Sequence, residues 1–425
     1  MRLIYTLLFY LSLPLIFLRL LWRARKNPHY AIRWDERLGF IPRVSQQNGI
    51  WIHAVSVGEV LAAVPLVKNL LLRHPDVPIV ITTLTPTGAD RVRALVSDPA
   101  IGNKVMHFYA PYDLPFAVKR FLNRIKPRLL IIIETELWPN MLHICQQRQI
   151  PVFAANARLS ERSARGYGRL GSLMRGMLSA ISKMAIQTQV EADRYIALGM
   201  DPTRIEVTGS IKYDLEIPAD LSTRALELKK ILGTDRLVWI AASTHEGEEE
   251  FVLDAFNKVR EKVDNVLLML VPRHPERFKR AAELCQQRGF NFITRSSQQS
   301  CCADTHVFIG DTMGELLLMY AAADVAYVGG SLVEKGGQNP LEPAALGLPV
   351  IMGPHLFNFA AITAQLIAAN SMIKIQNANE LAPYIINLLQ DHLLRQQMGE
   401  RGRAVVDKNR GALEKHLQML AVLIN

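Results

Sequence analysis

From Ile50 onward the chain repeats one pattern. A short, continuous apolar run is followed by a polar loop rich in Gly, Ser, Thr or Asn, and then by a stretch with apolar residues three and four apart. Continuous apolar runs of this length read as strands buried on both faces, and the 3.6-residue period reads as amphipathic helix. The pattern predicts strands over 50–55, 79–84, 105–110, 129–133, 152–155 and 205–208. Helices are expected over 60–74, from Thr85-Pro86 onward and over 114–125, with a helix-rich region at 160–179 and 190–198. After a connection at about 214–235 the alternation restarts, with strands over 237–242, 266–271, 292–294, 307–309, 325–328, 350–352 and 372–375. Residues 393–423 read as a terminal helical region with an Arg/Lys face. Strand–helix alternation implies parallel sheets covered on both faces, so the fold class is α/β, in two doubly wound halves with a cleft between them. In such sheets ligands sit beyond the C-terminal ends of the strands, so the chemistry is expected in the loops that follow strands.

The first residues follow a different pattern. Residues 3–18 are apolar except for Thr6, Ser12 and Pro14, and Arg19, Trp22, Arg23, Arg25 and Lys26 follow. The run is shorter than the roughly 20 residues of a full span. A basic flank stands where a signal peptide would carry small residues, and it keeps the rest of the chain cytoplasmic. The expectation is an uncleaved membrane anchor over 1–26, with a helix lying flat in the interface as the alternative. Arg33, Arg37 and Arg43, with Trp34, form a second basic cluster that either continues the membrane contact or is a solvated face.

Composition narrows the class. A chain of 425 residues exceeds one ordinary core. Its division reads as an anchor at 1–26, a first domain at 27–213, a linker at 214–235, a second domain at 236–392 and a helical region at 393–425. The net charge of +10 favours an anionic partner. The four cysteines form no CxxC pair and no zinc spacing.

Four loops after strands share one signature: Ser56…Glu59, Ser243…Glu246, Thr312…Glu315 and Asn339…Glu342, each a cap residue followed three positions later by Glu. That is a capping box, in which the Glu can simply satisfy backbone donors. Read functionally, helix N-termini converge on one site and turn carboxylates toward a ligand. Glu59 follows Gly58, which permits close approach, and is placed to take a proton from an attacking hydroxyl. Glu134 and Glu136 end a buried apolar strand, where carboxylates are costly without partners. Arg273, in Pro272-Arg273-His274-Pro275, suits a phosphate. Residues 329–354 carry two glycine pairs, Lys335 and the sequence Asn339-Pro340-Leu341-Glu342. They read either as the phosphate and ribose end of a nucleotide site or as a well-capped βα unit. The chain has no P-loop, no HExxH, no GxSxG and no Asp-x-Asp, so no metal is expected.

Eight segments in order carry a resemblance: HAVSVGE (53–59), TTLTPTG (82–88), ETELWPN (134–140), NARLSERS (156–163), STHEGEE (243–249), VPRHPERF (271–278), GDTMGEL (310–316) and GGSLVEKGGQNPLEPAA (329–345). The chain resembles the 3-deoxy-D-manno-octulosonic acid (Kdo) transferases of lipopolysaccharide synthesis. The resemblance implies a GT-B fold, two Rossmann-like domains facing across a cleft, with the acceptor on the first and the nucleotide on the second. It implies inverting transfer of Kdo from CMP-Kdo to the lipid A precursor (lipid IVA), often twice, with no further cofactor and no nucleic acid partner. It places the enzyme at the inner membrane with cytoplasmic catalytic domains. By motif, Glu59 matches the family's base. Pro272 and Arg273, Met313, Gly314 and Glu315, and Asn339, Pro340, Leu341 and Glu342 match its CMP-contacting segments. Kdo's carboxylate and the acceptor's phosphates account for a basic protein, with Arg158, Arg162 and Lys212 as candidates to bind them. The alternatives on this architecture are a nucleotide-sugar epimerase and a non-catalytic nucleotide-sugar binder.

Overall fold

The computed structural model describes residues 1–25, 27–44, 47–98 and 101–424, so Lys26, the last basic residue of the expected anchor, lies outside the described residues. The chain forms two compact units, residues 1–214 with 410–425, and residues 215–409.

The first unit is built on seven parallel strands: β1 (Ile50–His53), β2 (Ile79–Thr83), β3 (Val105–Tyr109), β4 (Leu129–Ile133), β5 (Val152–Ala157), β6 (Lys183–Ile186) and β7 (Ile205–Val207). Their order is β3-β2-β1-β4-β5-β6-β7. The apolar runs are continuous because both faces are covered. Trp51, Leu130, Ile132 and Val152 meet Phe121, Leu122 and Met141 of the helices Pro115–Ile125 and Pro139–Gln147. The alternate residues Ile50, Ile52, Ile131 and Ile133 meet Leu66 and Leu70 of Val57–Arg73 and Leu417 and Leu420 of Ala412–Ile424. Strand order reverses between β1 and β4, which opens a crevice at their C-terminal ends. The loops carrying Glu59 and Glu134 emerge there.

The N-terminal helix, Arg2–Ala24, docks one face on this unit. Phe9, Leu13, Ile16, Phe17 and Leu20 pack with Tyr112, Leu114 and Ala117. Near its start, Arg2 and Thr6 both donate to Asn140 Oδ1. The opposite face leaves Leu3, Leu7, Leu11, Leu15 and Leu18 at least 60% exposed.

The second unit repeats the plan with β8 (Leu237–Thr244), β9 (Val266–Pro272), β10 (Phe292–Thr294), β11 (Val307–Ile309), β12 (Val325–Val328), β13 (Val350–Met352) and β14 (Met372–Lys374). The order is β10-β11-β9-β8-β12-β13-β14, again parallel, with the reversal between β8 and β12.

Three expectations change. The stretch expected as a linker contains the helix Leu221–Leu232, whose Leu221, Ala225, Leu228 and Leu232 are buried against Val238 and Ile240 of β8. The terminal helical region is two helices, His392–Asn409 and Ala412–Ile424, broken at Gly411 with φ 93°. The first belongs to the second unit and the other to the first unit. β6 was not anticipated, because Lys183–Ile186 is four residues without a readable period.

Candidate functional site

In the first unit, Ser56 caps the helix Val57–Arg73 by accepting from Glu59 N. The Glu59 carboxylate turns back, accepting from Val55 N at 2.7 Å and from Ser56 Oγ at 2.7 Å. It is 8% exposed. Burial pushes its pKa up to about 7, the charges of Glu136 and Glu134 push the same way, and the two hydrogen bonds oppose. A carboxylate poised there can accept a proton at neutral pH and release it afterwards.

Glu134 and Glu136 stand on the neighbouring loop after β4. Glu134 has a left-handed backbone, φ 59°, held where its N–H donates to Ala155 O. Such a conformation is rare outside glycine and marks a position the surroundings fix. Its carboxylate meets Lys212 Nζ at 2.9 Å and Arg158 Nε at 2.8 Å. Two of the three cations suggested for substrate anions, Arg158 and Lys212, are therefore joined to Glu134, and the trio carries one net positive charge. Arg162 is exposed on the helix Glu161–Gly168. Glu136 accepts from Trp138 Nε1 at 2.9 Å, and burial raises its pKa.

His53, not singled out in the sequence beyond its motif, lies beneath these groups with no exposure. Its Nδ1 meets Thr82 Oγ1 at 3.0 Å, and its ring meets Trp138 edge to face at 4.4 Å. Nε2 has no hydrogen-bond partner among the described residues, and burial pulls the ring's pKa down to about 3. It is a neutral wall rather than a proton carrier.

In the second unit the glycine loop after β12 is held by a residue the sequence pattern did not reveal. Glu248 accepts from Gly330 N at 2.6 Å, Ser331 N at 3.1 Å, Leu332 N at 3.0 Å and Tyr327 Oη at 2.7 Å. It also accepts from His245 N at 2.9 Å. All of these partners except His245 lie about 80 positions further along the chain, beyond the reach of local pattern. Gly329 is required because a Cβ there would stand 2.6 Å from Ser243 O.

Arg273 follows Pro272 at the end of β9 and is fixed by its N–H to Thr244 O. Its charge acts on Glu342, whose pKa is raised by burial and lowered by Asn339 and Arg273. His245 lies alongside, its Nε2 3.0 Å from Gln338 Nε2 and its ring 5.5 Å from His274. Arg273, His245, Gln338, Asn339 and Glu342 are thus brought together on the loops after β8, β9 and β12.

Three of the four expected capping boxes do not form. At Asn339 the helix begins at Leu341, with Pro340 at the cap. Asn339 Oδ1 accepts from Leu341 N, and Glu342 accepts from the Asn339 side-chain amide. This helix, Leu341–Ala345, is too short for a sizeable dipole. After β8 the cap is Gly247, so Glu246 caps nothing and Glu248 takes the inward role. Glu315 is itself the cap residue of its helix. Its carboxylate is engaged by Arg295 Nε and Nη2 at 3.1 and 2.9 Å and by Thr312 Oγ1 at 2.6 Å. The Arg295 bonds hold its pKa below the usual range. Met313 beside it is 58% exposed, and Gly314 has φ 84°. Among the described residues, no three His, Cys, Asp or Glu side chains are arranged to hold a metal ion.

Comparison with known proteins places this architecture. The family model described as 3-deoxy-D-manno-octulosonic-acid transferase matches residues 32–215, and that for glycosyl transferases group 1 matches residues 235–405. The chain is 44% identical to a 3-deoxy-D-manno-octulosonic acid transferase of Haemophilus influenzae, over 99% of this chain and 98% of that one. It is 34% identical to one from Bordetella pertussis, over 98% of each. A UDP-GlcNAc 2-epimerase structure from Neisseria meningitidis aligns with TM-score 0.51 at 12% identity, over 88% of this chain and 99% of that one. That likeness is of fold.

Proposed function

The chain belongs to the 3-deoxy-D-manno-octulosonic acid transferase family, and from that premise we propose that Glu59 is the base in transfer of Kdo from CMP-Kdo to a lipid A precursor. The chain is a glycosyltransferase of lipopolysaccharide synthesis with a GT-B fold. The observation that carries the proposal is the Glu59 carboxylate, buried at the strand-order reversal with its pKa near 7.

The reaction follows from these groups. An acceptor hydroxyl attacks the anomeric carbon of Kdo from the face opposite CMP and gives its proton to Glu59. The bond from that carbon to the phosphate oxygen breaks, and its electron pair leaves with CMP. Attack from the opposite face inverts the anomeric centre. The transition state carries positive charge at the sugar, and the departing phosphate gathers negative charge. Arg273 is suited to that phosphate, and Asn339 and Glu342 to the ribose. This proposal involves no metal. The Glu134–Arg158–Lys212 trio, with its net positive charge, suits a carboxylate or phosphate on either substrate.

The helix Arg2–Ala24 supports membrane attachment of a particular kind. It is docked along its length on the first unit, and its other face is a row of exposed leucines. A helix so placed lies in the interface with its free face among acyl chains, rather than crossing. That brings the first unit to a lipid-borne acceptor.

Incubation with CMP-Kdo and lipid A precursor, followed by mass analysis of the lipid, tests the reading. Gain of one or two Kdo increments with release of CMP is the expected result. Conversion of the donor without change in the lipid would instead mark an epimerase.

A further inference from the structure

We propose that His416, on the C-terminal helix Ala412–Ile424, is a positioning residue for the Glu134–Arg158–Lys212 cluster. The link runs through Asn156. In β5 the register with β6 slips between Ala154 and Ala157, and Asn156, inside the slip, has φ 54°. A bulge leaves a backbone group outside the ladder and re-aims the residues that follow. Here the displaced Asn156 N–H donates to His416 Nε2 at 2.9 Å. That bond requires Nε2 to be bare. The proton is on Nδ1, which donates to Ala412 O at 2.7 Å and fixes the tautomer. Both residues are fully buried, and burial pulls the His416 pKa down to about 4, so the acceptor form holds at neutral pH.

Asn156 passes this constraint on in two directions. Two residues later, Arg158 Nε reaches Glu134. Through its side chain, Asn156 Oδ1 accepts from Ile211 N at 3.2 Å, and the next residue, Lys212, reaches the other oxygen of Glu134. The helix is docked a second time on the same segment. Asp214 accepts from Gly411 N and from Leu413 N, each at 2.6 Å. A helix some 260 positions from β5 therefore sets the bulge that aims one cation and the segment that carries the other.

The inference rests on the reading of the Glu134 cluster as part of the transfer site, and the experiment separates the two. His416→Leu keeps the bulk and removes the acceptor, whereas His416→Gln places an oxygen near the position of Nε2. The expected result is a kcat lower by roughly tenfold to a hundredfold in His416→Leu, with KM for CMP-Kdo unchanged, and recovery to within about threefold in His416→Gln. Equal impairment of both variants, or a lowered melting temperature with kcat and KM intact, overturns the proposal. Should His416→Leu not accumulate as folded protein, Asp214→Ala loosens the same helix at its start. It is expected to lower kcat by a smaller factor, and an unchanged kcat there overturns the proposal as well. Glu134→Gln serves as the reference. Full activity in that variant removes the cluster from the site altogether, while loss in Glu134→Gln with none in His416→Leu defeats the positioning role alone.

Discussion

Glu59 joins a local structural role to the chemistry proposed for it. Its backbone N–H completes the Ser56 cap, and its carboxylate is bonded back to Val55 N and Ser56 Oγ. Burial nevertheless leaves it with a pKa near 7 against an ordinary 4.5. A carboxyl whose folded pKa is raised binds its proton more tightly folded than unfolded. Its cost to stability is therefore absent below the unfolded pKa, grows as pH rises through the window, and is complete above the folded pKa. Over this window the cost is about 3 kcal/mol. Glu59→Gln is accordingly expected to melt above the wild type at about pH 8 and to lose that advantage at about pH 4, as scanning calorimetry at the two values will show. For the proposed catalysis the sign reverses, because a base must be deprotonated. Wild-type kcat/KM should rise with pH through about 7 and then level, and a flat profile between about pH 5 and 8 would argue against Glu59 as the titrating group.

At the scale of elements, the N-terminal helix and the glycine loop each make a separable prediction. Leu7, Leu11 and Leu18 are 60%, 68% and 60% exposed, whereas Phe17 packs against Trp34 and Tyr112. Changing the three leucines to Gln should release the protein from phospholipid vesicles in a flotation assay and shift stability by less than about 1 kcal/mol. Phe17→Ala should do the reverse, costing about 2 kcal/mol in denaturant unfolding while vesicle binding persists. In the glycine loop, Gly329→Ala sets a Cβ against the Ser243 carbonyl. The loop must shift off Glu248, and titration calorimetry should find CMP bound about tenfold more weakly or worse. Unaltered CMP affinity would mean that this loop does not hold the nucleotide.

Legibility also sorted by element. The core strands were readable because a strand covered on both faces is a continuous apolar run, and β4 at Leu129–Ile133 begins and ends where the run does. Lys183–Ile186 was not, since four residues beside two helices carry no period. The capping signature fell on loops that do lead into helices but misjudged three of four geometries, because Gly247, Glu315 and Pro340 took the cap positions. The bonds of Glu248 and His416 were invisible for another reason. Their partners lie about 80 and 260 positions away, and only the folded sheets bring them within reach.

For the whole molecule, the path of the chain matters more than its division into halves. Residues 410–425 leave the second unit and complete the core of the first, where Leu417, Leu420 and Ile424 join Ile52 and Ile131. Truncation after Asn409 should therefore cost amide-exchange protection in β5 and β6 while β8 and β9 keep theirs, by exchange mass spectrometry. Loss spread evenly over both units would show that the final helix belongs to neither.

The central claim is that this family member transfers Kdo with Glu59 as its base. Its most direct test is steady-state transfer from CMP-Kdo to lipid A precursor by Glu59→Gln beside the wild type, with CMP affinity measured on the same preparations. The account predicts turnover lower by at least about 100-fold with CMP affinity unchanged. Turnover within a few-fold of wild type would contradict it.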